Sequence, residues 1–265
     1  ADYPVVNFRI FRHRSFFIGN VTMFVLGLVL YCSMFALPLF CQNILRLTAQ
    51  QTGVLLIPST LVSMFMMPVA GALFKKGVPG QILGVLGVLL FFSCFLMMTR
   101  PTIDTGAGFF FWPMIILGVG RSFMFVPFTA LAMQDLEGKE IAQGTGINNL
   151  MRQLGGTLGV AVFTTVLAVQ TFQYRNILIE QVNNYNPVFV ERYQMLTSGF
   201  AGKGFSPDQT QGMALKSVEN SVMVQSQLLT YNHIYMIAAI LIICCVPLFL
   251  MQKSRKITTV NEKIT

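Results

Sequence analysis

Charge is scarce in this chain. Only 11% of its 265 residues are Asp, Glu, Lys or Arg, against roughly a quarter in soluble domains. The ten acids avoid every long apolar run. A proton relay inside a membrane needs an acid or a histidine, and His233, at the outer edge of its run, reads first as an interfacial anchor. Paired cysteines are also lacking. Cys32, Cys41, Cys94, Cys244 and Cys245 sit in apolar runs, where cysteine behaves as a small hydrophobe. With no CxxC pair and no Cys/His cluster, neither a metal site nor a redox site is supported. No nucleophile, base and metal ligands group along a run, so an enzyme is not supported either. No signal peptide is visible. The chain opens on ADYPVVNF rather than Met, which reads like a loop belonging to a longer protein.

What the chain has in abundance is apolar sequence, 54% of its residues. Runs of about 20 apolar residues cross a bilayer as helices. Six are predicted, over 16–42, 51–74, 81–98, 108–134, 142–168 and 231–252. They show no polar face at helical period, unlike the helices of a soluble bundle. The fold class is therefore all-α: a polytopic membrane protein whose main partner is the lipid bilayer.

The net charge of +8 does not point to nucleic acid, because the basic residues mostly flank the runs. Lys and Arg in short loops set orientation. Arg9, Arg12 and Arg14 lie in the opening segment 1–15, Lys75, Lys76 and Lys139 between later runs, and Lys253, Arg255, Lys256 and Lys263 in the tail 253–265. The short loops opposite hold only Arg46 and Arg100. Both termini are thus expected in the cytoplasm. The polar segment 169–230 falls outside, neutral on balance. Leu215, Val218, Val222 and Leu229 recur in it at helical spacing. It reads as helical extensions joined by a loop, or as a docking surface for an outside partner.

Two arginines interrupt the apolar runs. Arg121 follows Gly118 and Gly120, which permit close helix approach. It either bonds a neighbouring carbonyl or helix end, locking the bundle, or serves as a gate or as the partner of a carboxylate elsewhere in the protein. Arg152 lies among Asn148, Asn149 and Gln153, with Gly155, Gly156 and Gly159 a turn later. A polar stripe lined by glycine suits a helix pressed against a neighbour, so Arg152, with Gly155 and Gly156, reads as a structural or gating element like Arg121, and Asn148, Asn149 and Gln153 are candidate cavity or inter-helix contacts. Tyr31, Phe35, Phe123 and Phe125 are candidate substrate contacts. Apolar side chains of this kind, and the abundant methionines, also face lipid or packing.

NLMRQLGGTLGVAVFTT resembles the penultimate-helix signature of the fourteen-helix drug:proton antiporters of the major facilitator superfamily, the EmrB/QacA type. VNFRIFRHRSFFIGN is similar to the start of their ninth helix. LPLFCQNILRLTAQQTGVLLIPSTLVSMFMMPVAGALF resembles the hairpin that follows it. LGVGRSFMFVPFTALAM and EIAQGTGINNL are similar to helices twelve and thirteen. YNP in the outer loop and LTYNHIYM complete the likeness, which spans essentially the whole chain.

The resemblance implies the C-terminal six-helix half of such a transporter, in the inner membrane, with the N-terminal half missing. It implies amphipathic or cationic drugs as substrates and the proton gradient, with no cofactor, as energy source. It also implies a periplasmic adaptor of the EmrA type as a possible partner. In that superfamily the first, second, fourth and fifth helices of each half face the cavity, which puts Arg121 and Arg152 on cavity helices. GALFKKGVPG resembles the gating loop after the second helix. Gly71 and Lys76 fit its pattern, but Lys75 stands where the acid would be. The acidic proton-coupling residues of the family lie mainly in the other half. Two alternatives remain open: export of an endogenous metabolite or siderophore, and a non-transport scaffold that docks a partner through 169–230.

Overall fold

The computed structural model describes residues 14–250, except 103, 104, 137, 184, 203 and 204. The opening segment up to residue 13 and the tail beyond residue 250 lie outside the described residues. Seven α-helices follow in order: α1 Arg14–Asn43, α2 Ala49–Lys75, α3 Gly80–Met98, α4 Phe111–Met133, α5 Lys139–Glu180, α6 Pro187–Ala201 and α7 Pro207–Leu250. All except α6 are long and apolar enough to cross a membrane.

Local sequence explains where the helices stop and start. After α1 the backbone turns through Arg46 in the left-handed region, φ 56°. Thr48 then caps α2: its hydroxyl accepts from the Gln51 amide at 3.3 Å, and the Gln51 side chain accepts from the Thr48 amide at 2.9 Å. This reciprocal pair satisfies amides that a helix start leaves bare. Gly77, at φ 90°, lets the chain reverse after α2. A 3-10 turn over Ala107–Phe110 leads into α4. Asn186 caps α6 by accepting from the Val188 amide, with Pro187 at the first helical position.

The core lies between α1, α3, α4 and α7. Phe40 of α1 meets the edge of Tyr231 of α7 at 5.4 Å and packs on Phe110 at 5.6 Å. Phe95 of α3 stacks on Tyr235 of α7 at 6.2 Å. In lipid, apolar burial gives little drive for helices to associate, and close backbone packing takes over. Small residues accordingly mark the crossings. A methyl group at Gly27 of α1 would overlap the Arg152 carbonyl of α5. One at Gly155 or Gly159 would overlap the carbonyls of Phe24 and Leu28 of α1. At the α3–α4 crossing a methyl on Gly87 would come within 2.8 Å of the Met124 amide nitrogen.

α2 and α4 are joined by hydroxyls. The Ser63 hydroxyl reaches the Ser59 carbonyl at 2.8 Å and the Gly118 carbonyl at 3.1 Å. The Ser122 hydroxyl reaches the carbonyls of Ser63 at 3.2 Å and Gly118 at 3.1 Å. A methyl on Gly118 would lie 2.6 Å from the Ser59 carbonyl oxygen. Serine therefore works at this crossing as both spacer and glue.

Helical structure goes beyond the apolar runs. α5 continues past residue 168 to Glu180, and α7 already begins at Pro207. Most of 169–230 is thus helix: two extensions, with the short α6 packed on α7. The extensions are held by the Arg175–Glu219 ion pair at 3.0 Å and a Thr171–Thr230 hydrogen bond at 3.2 Å. Val218 is buried and Val222 and Leu229 are half-buried, but Leu215 is exposed, so the apolar face is covered only in part.

The crossings make a prediction. Gly155→Ala should destabilise the bundle by about 1–3 kcal/mol, because overpacking forces backbones apart. Gly53→Ala, where an added methyl meets nothing within 4 Å, should be neutral or stabilise by up to ~1 kcal/mol. Thermal unfolding of the two variants in the same detergent checks the contrast.

Candidate functional site

Three of the sequence-predicted residues meet between α4 and α5. Arg152 donates from Nη2 to Asn149 Oδ1 at 3.3 Å. Its guanidinium lies 5.7 Å from the ring centroid of Phe125, within reach of a cation–π attraction. Asn149 sits three residues before Arg152, one helical turn away. α5 thus supplies the cation and its amide neighbour, and α4 supplies the ring.

Tyr31 approaches the same helix from another side. Its ring lies against Gly156, where an added methyl would come within 2.7 Å of ring carbons. Half-buried there, it packs α1 on α5. Gly155 and Gly156 are both buried at this contact. The glycines after Arg152 therefore form the seat for α1, and Arg152 itself projects past that seat toward α4.

The remaining candidates are scattered. Phe35 is 48% exposed and joins no cluster. Phe123 is half-buried, but it lies two residues from Phe125, which turns it to the other side of α4. Its backbone abuts Gly87 of α3. Gln153 is exposed on α5 beside Asn149, and Thr157 and Thr164 continue this mildly polar exposed strip. Asn148 is buried, and its side-chain nitrogen has no hydrogen-bond partner among the described residues. Gly71 has open space around it, and Lys75 and Lys76 are exposed at the end of α2.

Arg121 is half-buried near the middle of α4. Among the described residues it makes no hydrogen bond and no ion pair, and Arg175–Glu219 is the one ion pair there. His233, in the middle of α7, is exposed and lies 3.5 Å from the Tyr174 hydroxyl of α5.

Two features escaped the sequence reading. Ser59, Ser63 and Ser122 form the α2–α4 junction. Their signal was the four-residue spacing of Ser59 with Ser63 and of Gly118 with Ser122, a pattern that any membrane helix can carry by chance. Asn20 of α1 is buried with its side-chain oxygen unpartnered among the described residues. A polar residue about one turn into an apolar run was the only hint of it.

The spans differ in how much they bury. In α2 and α5 only 17% and 22% of the apolar window is buried, against 44–50% in the other four. The two open helices carry the Ser junction and the Arg152 group. Six membrane helices, small-residue crossings and two mid-span arginines define a polytopic half-bundle with a polar patch beside an open face. A family model for the Major Facilitator Superfamily matches residues 1–160, and the chain belongs to that superfamily of transporters.

Its relatives include EmrB-type drug transporters. The chain is 25% identical over 260 residues to the colistin resistance protein EmrB of Acinetobacter baumannii, covering 96% of this chain and 49% of the relative. It is 26% identical over 252 residues to the fatty acid resistance protein FarB of Neisseria gonorrhoeae, covering 95% and 48%. It is 24% identical over 241 residues to the multidrug export protein EmrB of Escherichia coli K12, covering 90% and 45%. The chain spans about half the length of these relatives.

The serine junction can be tested on its own. Ser63→Ala should cost about 0.6–1.7 kcal/mol, between the average and the largest value measured for interhelical hydrogen bonds in a membrane protein. Ser198→Ala, on exposed α6, should be within ~0.5 kcal/mol of wild type. Thermal unfolding in detergent separates them.

Proposed function

We propose that this chain is the C-terminal half of a proton-coupled multidrug efflux transporter that works by alternating access in the inner membrane. The observation that carries the reading is the openness of α2 and α5. Two membrane helices that bury so little in their own bundle have faces left for a second one. The half-length match to EmrB-type relatives supports the same conclusion. In transporters built from repeats, substrate binds near the midplane between two bundles that rock against each other. The crossings held by glycine and serine suit a bundle that moves as a unit.

In this reading Phe125, Asn149, Arg152 and Gln153 belong to the cavity wall contributed by α4 and α5. Tyr31, Gly155 and Gly156 hold the wall in place. Phe35 and Phe123 contact substrate only through the assembled cavity, and Asn148 acts as a contact between helices. Gly71, Lys75 and Lys76 take part in a cytoplasmic gate. The proton carrier lies in the other half, since the spans here hold no acid. Basic residues on one side of the spans put both termini in the cytoplasm. The outer helical extensions are then periplasmic. There α6 has no buried residue, and Tyr185, Val188 and Met195 stand exposed, which suits docking of an adaptor of the EmrA type. The relatives are named variously for colistin, fatty acids and multiple drugs, so likeness alone names no single substrate.

Reconstituted alone in proteoliposomes under an imposed proton gradient, the chain should export no amphipathic dye. Robust proton-linked export by the chain alone would sink the half-transporter reading. With an N-terminal half supplied, Arg152→Ala should lower drug export about tenfold or more, as loss of a charge-assisted contact does. Arg100→Ala, at the outer edge, should stay near wild type. Equal, wild-type-like export from both variants would remove Arg152 from the cavity.

A further inference from the structure

Two buried asparagines share one level of the α1–α5 seam. Contacts on either side of them fix that level. On one side, a methyl at Gly144 of α5 would lie 3.2 Å from the Phe16 ring of α1. On the other, Gly27 faces the Arg152 carbonyl and Gly155 faces that of Phe24. The partners rise in number together, so the two helices run parallel. Asn20 is four residues after Phe16 and four before Phe24, and Asn148 is four after Gly144 and four before Arg152. Residues four apart share a helix face, which puts both asparagines on the facing sides of the crossing. Asn20 is 2% exposed and Asn148 4%, so the helices of this chain bury them unaided. Asn20 donates from Nδ2 to the Phe16 carbonyl at 2.8 Å, which leaves its Oδ1 over. Among the described residues that oxygen and the Asn148 Nδ2 are both without a partner. One is an acceptor and the other a donor. A buried amide group left unmet destabilises a fold, and the needs of these two are complementary.

We infer that Asn20 and Asn148 form a polar clasp between α1 and α5, the Asn148 amide donating to Asn20 Oδ1 directly or through one water between them. The clasp gives the inter-helix contact of Asn148 its partner, and it stands whatever the bundle transports. It adds what the glycines cannot. A glycine on this seam meets a carbonyl, and every residue has one. Gly155 and Gly159 are themselves one turn apart, so glycines alone let the helices meet at more than one level. A donor and an acceptor are satisfied at one level and one rotation of α5 on α1. A single buried asparagine fixes the register of a coiled coil in the same way. Arg152 is one turn beyond Asn148, so the clasp sets the direction in which its side chain leaves toward Phe125. Asn20 and Asn148 are positioning residues in this scheme.

A double-mutant cycle on the whole chain in detergent tests the clasp. Asn20→Ala and Asn148→Ala should each lower the thermal midpoint by about 2–6 °C. Each strands the other amide, so the double variant should fall no further than the worse single one. Asn20→Ala combined with Ser63→Ala, at the separate α2–α4 crossing, should give the sum of its single shifts. Amide exchange gives a second readout, which a contact of packing alone would not move. In the chain labelled with 15N-asparagine, the Asn148 side-chain amide is identified through its backbone correlation with Ile147. It should exchange with D2O at least about tenfold more slowly than that of exposed Asn220. In Asn20→Ala it should exchange about tenfold faster than in the unsubstituted chain. Single shifts of the two asparagines that simply add overturn the proposal, as does an Asn148 rate that ignores Asn20→Ala. An Asn148 amide that exchanges as fast as that of Asn220 in the unsubstituted chain also overturns it, and that comparison requires no variant to fold. The transporter reading is judged separately by the export assays.

Discussion

The bundle depends on two backbones that touch. α1 and α5 meet where Gly27 faces the Arg152 carbonyl and where Gly155 and Gly159 face the carbonyls of Phe24 and Leu28. Lipid tails are as apolar as leucine, so helices gain little by hiding apolar surface from them. What remains is dispersion at close range and the weak polar contacts that close range allows. Both fall off steeply with separation. One side chain on any of these glycines would hold the helices apart and weaken every other contact along the seam. The α2–α4 and α3–α4 crossings repeat this solution with serine and glycine. The aromatic core around Phe40, Phe95, Tyr231 and Tyr235 fills the larger spaces that those crossings leave.

The same seam positions the polar patch. Arg152 is four residues before Gly156, which is pinned by the Tyr31 ring, and its own carbonyl is pinned by Gly27. The backbone beneath the arginine is thus held on one side by α1, while its side chain is free to cross to α4. A glycine-lined contact and a charged side chain on one short stretch of helix are two parts of one device. One part fixes the base, and the other projects from it.

Much of the fold was legible in the sequence, because hydropathy measures the solvent each segment prefers. All six spans appear as helices that overlap the apolar runs. Hydropathy says nothing about where a helix stops once it leaves the lipid. That is why α5 and α7 prove longer than their runs, held outside by Arg175–Glu219 and Thr171–Thr230. The spacing of glycines around Arg152 marked a helix contact but not its partner, since Phe24 and Leu28 contribute only carbonyls, which every residue has. Phe123 and Phe125 looked alike in sequence. Two residues apart on a helix, they face different neighbours, and only the packing of α4 against α3 shows which one turns toward α5. The serines of α2 and α4 were hardest to read, because their hydroxyls are as common on a helix facing lipid as in a junction.

α5 has a mechanical consequence. It is one unbroken helix of 42 residues, about 63 Å long, and the 12 residues from Val169 to Glu180 reach about 18 Å beyond the apolar run. Its seat against α1 lies deep in the run, and its tip lies well outside. It is therefore a lever with its fulcrum at Gly155 and Gly159. A tilt of the seat by about 10° would swing the outer end by roughly 3 Å more than the run's edge, from the helical rise alone. The outer surface carried by α5, α6 and α7 would then report which way the membrane bundle leans, with no need for a separate signal.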